Sequence, residues 1–118
     1  MRPTYHLLPT ETWTPSNLDP TAVYAAPSLA TDGFIHCTDG AAALIATANR
    51  YYRDDPRPYV ALVIDLDATG SPWTIEDPAG IYPHVHGSIA GEAIMAVQPV
   101  IRAGDGTFLR LDEEPSGG

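Results

Sequence analysis

The sequence predicts an α+β domain, a mostly antiparallel sheet with one main helix. One stretch has apolar residues at helical spacing over several turns. Several short runs rich in β-branched and aromatic residues are separated by turns that contain Gly or Pro. The 118 residues show no internal repeat and no second domain, so we expect a single domain over residues 1–118.

The N-terminal part predicts a strand followed by a long loop. The residues from Thr4 to Leu8 indicate a first strand, which Pro9 ends. Thr10 can cap a short helical turn immediately afterwards. Residues 14–31 contain three prolines among small polar residues, and we expect them to form an ordered surface loop.

The stretch 32–38 predicts a turn, a strand and then a helix. Asp32 and Gly33 are typical of a tight turn, and Phe34 begins a short apolar strand. On a strand, His36 and Thr38 point to the same face because side chains alternate. From Asp39 the apolar spacing becomes helical, which predicts the longest helix over about 40–53.

Residues 59–87 are predicted to contain a central strand and two short extended segments. Residues 59–66 are nearly all apolar, as expected for a strand buried on both faces. Residues 73–76 indicate a short strand that ends in Glu76. Residues 81–87 contain Pro83, which places them at a sheet edge or in a loop.

The C-terminal residues predict a hairpin and a tail. Residues 93–101 form one strand, residues 104–106 the turn, and residues 107–111 the second strand. Residues 112–118 are polar, and we expect them to be frayed.

The charge balance narrows the classes of function. Fifteen acidic residues against six arginines and no lysine give a net charge of −9. Mechanisms that need a Schiff-base or P-loop lysine are therefore excluded. So acidic a chain repels polyphosphate at long range, so duplex nucleic acid is not the expected main partner. Arg50, Arg53 and Arg57 leave open a local basic patch.

The single cysteine and the absence of long apolar runs predict a cytoplasmic protein without a membrane span. Cys37 permits no internal disulfide, and we expect it to be a buried core thiol. The first residues lack the apolar segment of a secretory signal, and no run approaches the ~20 apolar residues of a spanning helix.

Four histidines are the candidate residues of a functional site: His6, His36, His84 and His86. An imidazole can donate and accept hydrogen bonds when neutral and can pair with an anion when protonated, which suits a ribose hydroxyl or a phosphate. His84 and His86 also have metal-ligand spacing, and His6, His36, Glu76 or Asp77 could complete a site, but nothing fixes the third ligand. We assign no metal ligand, and a metal-dependent enzyme stays a third alternative. The glycines show neither dinucleotide-binding nor P-loop spacing.

Four stretches of the chain resemble one family. They are TYHLLPTETW, YAAPSLATDGFIHCTDG, the helix end ANRYY, and IYPHVHGSI. Together they resemble the signature stretches of the DUF952 family over roughly residues 4 to 101. The resemblance implies an ADP-ribosyltransferase-like fold, a superfamily that includes NAD-using transferases and an RNA 2'-phosphotransferase.

The resemblance also implies roles for single residues. It suggests His36, His84 and Glu76 as catalytic groups, and a ligand-binding set made up of His6, Thr38, Tyr82 and His86. His6, His36 and His84 are then expected to converge in one cleft. In that superfamily a third motif often presents a glutamate. Glu76 is a carboxylate at about that place along the chain, although the family-like stretch here is Tyr82-Pro83-His84.

The implied function is a small-molecule site for a nucleotide-like ligand: NAD, ADP-ribose or a phosphorylated ribose. NAD would be a ligand or substrate, and transferase activity would follow if Glu76 lies in the cleft. The alternative is a non-catalytic binding or interaction module that keeps the fold without the acid. Whether the protein is an enzyme stays open at this point.

Overall fold

The computed structural model describes residues 1–13 and 23–112, and it combines few helices with mostly antiparallel strands. The strands of the described residues are β1 (Pro3–Pro9), β2 (Val23–Tyr24), β3 (Ile35–His36), β4 (Tyr59–Asp65), β5 (Trp73–Ile75), β6 (Pro83–Val85), β7 (Ile89–Ala90), β8 (Ile94–Arg102) and β9 (Phe108–Leu111). The α-helices are α1 (Pro27–Asp32) and α2 (Ala41–Tyr51), with short 3-10 turns at Thr10–Thr12, Leu66–Ala68 and Gly91–Ala93.

A four-stranded antiparallel sheet in the order β1-β4-β8-β9 carries the scaffold. The prediction of a central, doubly buried strand is confirmed, because β4 lies between β1 and β8. Leu62 and Ile64 of β4 contribute to one core cluster, and Ala61 contributes to a second. Alternate side chains of β4 therefore pack into the core on both faces of the sheet.

A three-stranded antiparallel sheet in the order β3-β6-β5 carries two of the four histidines, His36 and His84. The prediction that Pro83 confines its segment to an edge or a loop is wrong, because β6 is the middle strand. Pro83 is the first residue of β6, a position where a missing N–H is tolerated. Its carbonyl still accepts a 2.9 Å hydrogen bond from the Cys37 amide.

The two larger sheets meet along a seam beside β1. Tyr5 and Thr38 exchange backbone hydrogen bonds of 2.9 and 2.8 Å in an isolated antiparallel bridge. The Arg2 guanidinium donates to both carboxylate oxygens of Asp39 at 3.1 and 2.6 Å. Strand β1 thus pairs with β4 on one side and holds the chain after β3 on the other.

The long helix is confirmed, with bounds one or two residues inside those expected. Its apolar residues Leu44 and Ala48 pack with Phe108 against the four-stranded sheet. Helix α2 is the main helix, as expected, but the expectation of a loop over residues 14–31 is wrong for residues 27–31, because α1 lies there. Pro27 begins α1, and Gly33 ends it at φ 83°.

Two sequence-based expectations fall partly outside the described residues. Positions 14–22 of the expected loop and positions 113–118 of the expected tail are in that category. Within residues 1–13 and 23–112, no helix combines the length and apolarity needed to cross a membrane.

Candidate functional site

Two of the predicted histidines lie side by side on the three-stranded sheet. His36 of β3 is the direct partner of His84 on β6, and Thr74 of β5 lies opposite His84 on the other side. The His36 and His84 rings are 5.7 Å apart between centroids. His36 Nε2 donates to the Asp32 carboxylate at 3.0 Å, which connects β3 to the end of α1.

Phe34 and His86 lie beside the His36 and His84 rings and belong to the same group of aromatic side chains. Phe34 stacks on His84 with a centroid distance of 4.0 Å and an interplanar angle of 14°. The Thr74 hydroxyl donates to Glu76 at 3.0 Å, so His86 Nε2 donates to the same hydroxyl oxygen at 2.8 Å. His86 and Glu76 are thereby joined through Thr74 on the exposed part of the sheet face.

A cleft of about 440 Å³, the polar compartment, lies between the C-terminal part of α2 and this face. The described side chains that line it include His36, Thr38, Thr47, Arg50, Tyr52, Asp77, Tyr82 and His84. The Thr47 hydroxyl donates to the Ala43 carbonyl at 2.9 Å, so the Tyr82 hydroxyl donates to Thr47 at 3.2 Å. The Asp77 carboxylate accepts from the amides of Ile81 and Tyr82, which fixes the start of the β6 segment.

A second cleft, the apolar compartment, has about 330 Å³ and adjoins the first. Its lining includes Leu7, Leu8, Ala26, Pro27 and Leu44 beside His6 and Tyr24. Four residues border both clefts: His36, Thr38, Thr47 and Tyr52. The two compartments are therefore adjacent, and together they are called the groove.

His6 lies at the base of the apolar compartment and is held from two sides. Its Nδ1 is 2.7 Å from the carbonyl oxygen of His36, and its Nε2 is 2.9 Å from the Tyr24 hydroxyl. Burial lowers the pKa of His6 to about 4 and raises the pKa of Tyr24. At neutral pH, Nδ1–H therefore donates to the carbonyl, and the phenol donates to Nε2.

Burial changes the chemistry of two other groups. Burial raises the pKa of the Cys37 thiol to about 12, so a thiolate nucleophile is not expected near neutral pH. Burial, followed by the charge of His36, lowers the pKa of His84 below its usual value. His84 is thus mostly neutral near pH 7, although an anion beside it would raise its pKa again.

The structure brings together part of the predicted site. His36, Thr38, Tyr82 and His84 line the polar compartment, and His6 lines the apolar one. His6 does not meet the rings of His36 and His84, because its contact with His36 is through the backbone carbonyl. Glu76 and His86 lie on the same sheet face but outside the lining of both compartments.

Several site residues were missed by sequence reasoning. Phe34 and Tyr52 had no assigned role, and Arg50 was named only as part of a possible basic patch, although Arg50 and Tyr52 lie in the helix end quoted as a family resemblance. Asp32 could have been linked to His36 by its spacing of four residues. The contact of Thr47 with Tyr82 joins residues 35 positions apart, and no local pattern announces it.

The histidines of this face do not make a ready cation site. In the part of the chain that the structure describes, no group of three or more His, Cys, Asp or Glu side chains is placed to hold a metal ion. His84 is stacked on Phe34, and His86 is turned to Thr74.

Solved structures similar to this chain come from one bacterial protein, CC0527 from Caulobacter crescentus. Its crystal structure has a TM-score of 0.68 at 21% identity and covers 91% of this chain and 93% of that one. Its solution NMR structure has a TM-score of 0.65 at 18% identity, covering 100% and 97%. At these identities the likeness shows a shared fold. A comparison with curated proteins gives no match.

A family sequence model matches most of the chain. It is described as "Protein of unknown function (DUF952)" and matches residues 7–97, which include the end of β1, all of α2 and β4, and the three-stranded sheet β3-β6-β5. The matched range contains His36, Tyr82 and His84 but begins just after His6. This chain belongs to the DUF952 family.

Proposed function

We propose that the polar compartment binds a small phosphorylated, nucleotide-like ligand such as NAD, ADP-ribose or a phosphorylated ribose. The observation that carries the proposal is the pairing of His36 and His84, whose rings are 5.7 Å apart, in a cleft that Arg50 also lines. The chain as a whole has a net charge of −9, whereas this cleft places one arginine and two imidazoles beside a single carboxylate, that of Asp77, so it is less acidic than the chain's general trend.

The remaining polar groups suit the sugar part of such a ligand. The Tyr82 hydroxyl donates to Thr47 and keeps oxygen lone pairs for a ribose hydroxyl. Thr38 adds a second hydroxyl next to His36. Arg50 can pair with phosphate oxygens in the bidentate manner that a lysine could not reproduce.

The position of Glu76 favours ligand binding over group transfer. Its exposed carboxylate accepts from Thr74, outside the lining of the compartment. Asp77 does line the compartment, but its oxygens accept from two backbone amides. We therefore propose a non-catalytic ligand site. The transferase chemistry implied by the resemblance to an ADP-ribosyltransferase-like fold is tested by incubating the protein with NAD; we expect no release of nicotinamide.

The setting proposed for this function is the cytoplasm. Cys37 is buried and free, which fits a reducing compartment. The charge of −9 disfavours duplex nucleic acid as a partner. A small anion is expected to bind only where Arg50, His36 and His84 offset that charge locally.

Isothermal titration calorimetry with NAD, ADP-ribose, AMP and ribose 5-phosphate tests the proposal. We expect Arg50→Gln to weaken binding by about tenfold, which corresponds to about 1.4 kcal/mol. Arg110→Gln is the matched control, since Arg110 is exposed on β9 and lines neither compartment. Absence of binding by all four ligands, or equal loss in both variants, would refute the proposal.

A further inference from the structure

We infer that the ligand is a nucleoside phosphate whose base occupies the apolar compartment while its phosphate occupies the polar one. The inference rests on the proposed function and specifies its substrate class. A ribose phosphate without a base would fill only the polar compartment.

The first support is the adjacency of the two compartments. His36, Thr38, Thr47 and Tyr52 border both, so a group held by His36 and His84 lies beside the apolar part. The volumes of about 330 and 440 Å³ each fall within the ~300–1,000 Å³ usual for ligand pockets. A ligand with two chemically different ends can therefore bind both at once.

The second support is the chemistry of the apolar lining. Leu8, Ala26 and Leu44 supply apolar surface, and Tyr52 adds an aromatic ring at the border. His6 and Tyr24 are both neutral at physiological pH, since burial keeps the imidazole unprotonated and the phenol protonated. Both imidazole nitrogens are already bonded, and the Tyr24 hydroxyl oxygen keeps a lone pair that can accept from the edge of a base. Such a lining suits an uncharged heteroaromatic ring with a polar edge better than a second phosphate.

The charged residue of this lining does not alter the argument. Arg57 borders the apolar compartment, but its guanidinium donates to Asp55 at 2.7 Å and to Glu11 at 2.8 Å. Its charge is thus balanced by two carboxylates. A free anion has no reason to prefer this compartment over the one with His36, His84 and Arg50.

The test compares AMP with ribose 5-phosphate, which differ by the base. We expect calorimetry to show AMP binding at least about tenfold more tightly to the parent protein. Ser28→Trp fills the apolar compartment from α1 and should bring the two affinities to within about twofold. Ala30→Trp, on an exposed position of the same helix, is the matched control and should keep the preference. Arg50→Gln should weaken both ligands alike.

A second measurement is independent of whether Ser28→Trp folds. In amide NMR spectra of the parent protein, AMP should shift the signals of Leu8 and Ala26, and ribose 5-phosphate should not. Equal affinities for the two ligands, or unshifted Leu8 and Ala26 signals with AMP, would overturn the inference while the proposed function stands. If neither AMP nor ribose 5-phosphate binds, the inference fails; the proposed function fails with it only if NAD and ADP-ribose do not bind either.

Discussion

His6 makes the stability of the fold depend on pH, and the size of the effect follows from its burial. Its pKa is about 4 in the folded protein, against 6.5 for an unperturbed imidazole. Above the unfolded pKa both states are neutral, and the full stability is present. As the pH falls from 6.5 towards 4, the unfolded chain binds a proton that the folded protein refuses, so stability is lost. At about 1.36 kcal/mol per pKa unit, the loss reaches roughly 3 kcal/mol.

Urea unfolding of the parent protein and of His6→Gln, measured from about pH 8 to pH 4, isolates this effect. Carboxylates titrate in both proteins and cancel in the difference between them. Near pH 7 the variant should be less stable by about 1–3 kcal/mol, because it leaves a buried partner unsatisfied. As the pH falls, this gap should shrink by roughly 3 kcal/mol. A gap that stays constant with pH would refute the assignment of a neutral, buried His6.

Tyr24→Phe is the control for the hydrogen bond itself. It removes the phenol that donates to His6 Nε2 and leaves the imidazole able to titrate. We expect a loss of about 1 kcal/mol at neutral pH and the same trend with pH as in the parent. Loss of the trend in this variant would show that the phenol, and not burial, keeps His6 neutral.

Three further outcomes are expected. His36→Ala should change the free energy of unfolding by no more than about 0.5 kcal/mol, since the ring is exposed. Leu62→Ala should cost about 2–5 kcal/mol, because Leu62 is fully buried in β4. Similar melting temperatures for the two variants would contradict this expectation. Affinity for ribose 5-phosphate should fall as the pH rises through the lowered pKa of His84, and His84→Asn should flatten that dependence. Gly106→Ala should destabilise the fold by more than about 1 kcal/mol, because Gly106 has φ +95° and a Cβ there would lie 2.5 Å from the Arg53 carbonyl oxygen. Gly104→Ala is the control and should not have this effect, because a Cβ at Gly104 would meet open space.

The sequence was most informative where one pattern ran over many residues. The apolar run that became β4 and the helical spacing that became α2 were both assigned correctly, with errors of one or two residues at their ends. Six-residue α1 is too short for a periodic signal, although Pro27 and Gly33 mark its ends. The prediction that Pro83 confines its segment to a sheet edge or a loop was wrong, because a proline is tolerated as the first residue of any strand and disrupts the sheet only when it lies inside one.

The site was predictable only in part, for a similar reason. His36 and His84 could be proposed as neighbours from the family resemblance, but their register across β3 and β6 is a property of the sheet. The role of His6 depends on long-range burial, which turned a suspected ligand group into a neutral support for the His36 carbonyl. Pairs such as Thr47 and Tyr82 depend on how α2 lies against β6, and sequence spacing does not specify that.

The seam between the two larger sheets bears on how quickly a ligand can be captured. The Tyr5–Thr38 bridge, the Arg2–Asp39 ion pair and the shared core keep the wall that carries His36 from swinging away from β1. The groove is therefore already shaped before a ligand arrives, and little chain entropy is lost when it is filled. Association should then be a single encounter step, with an observed rate that rises in proportion to ligand concentration and reaches no plateau set by a slow rearrangement.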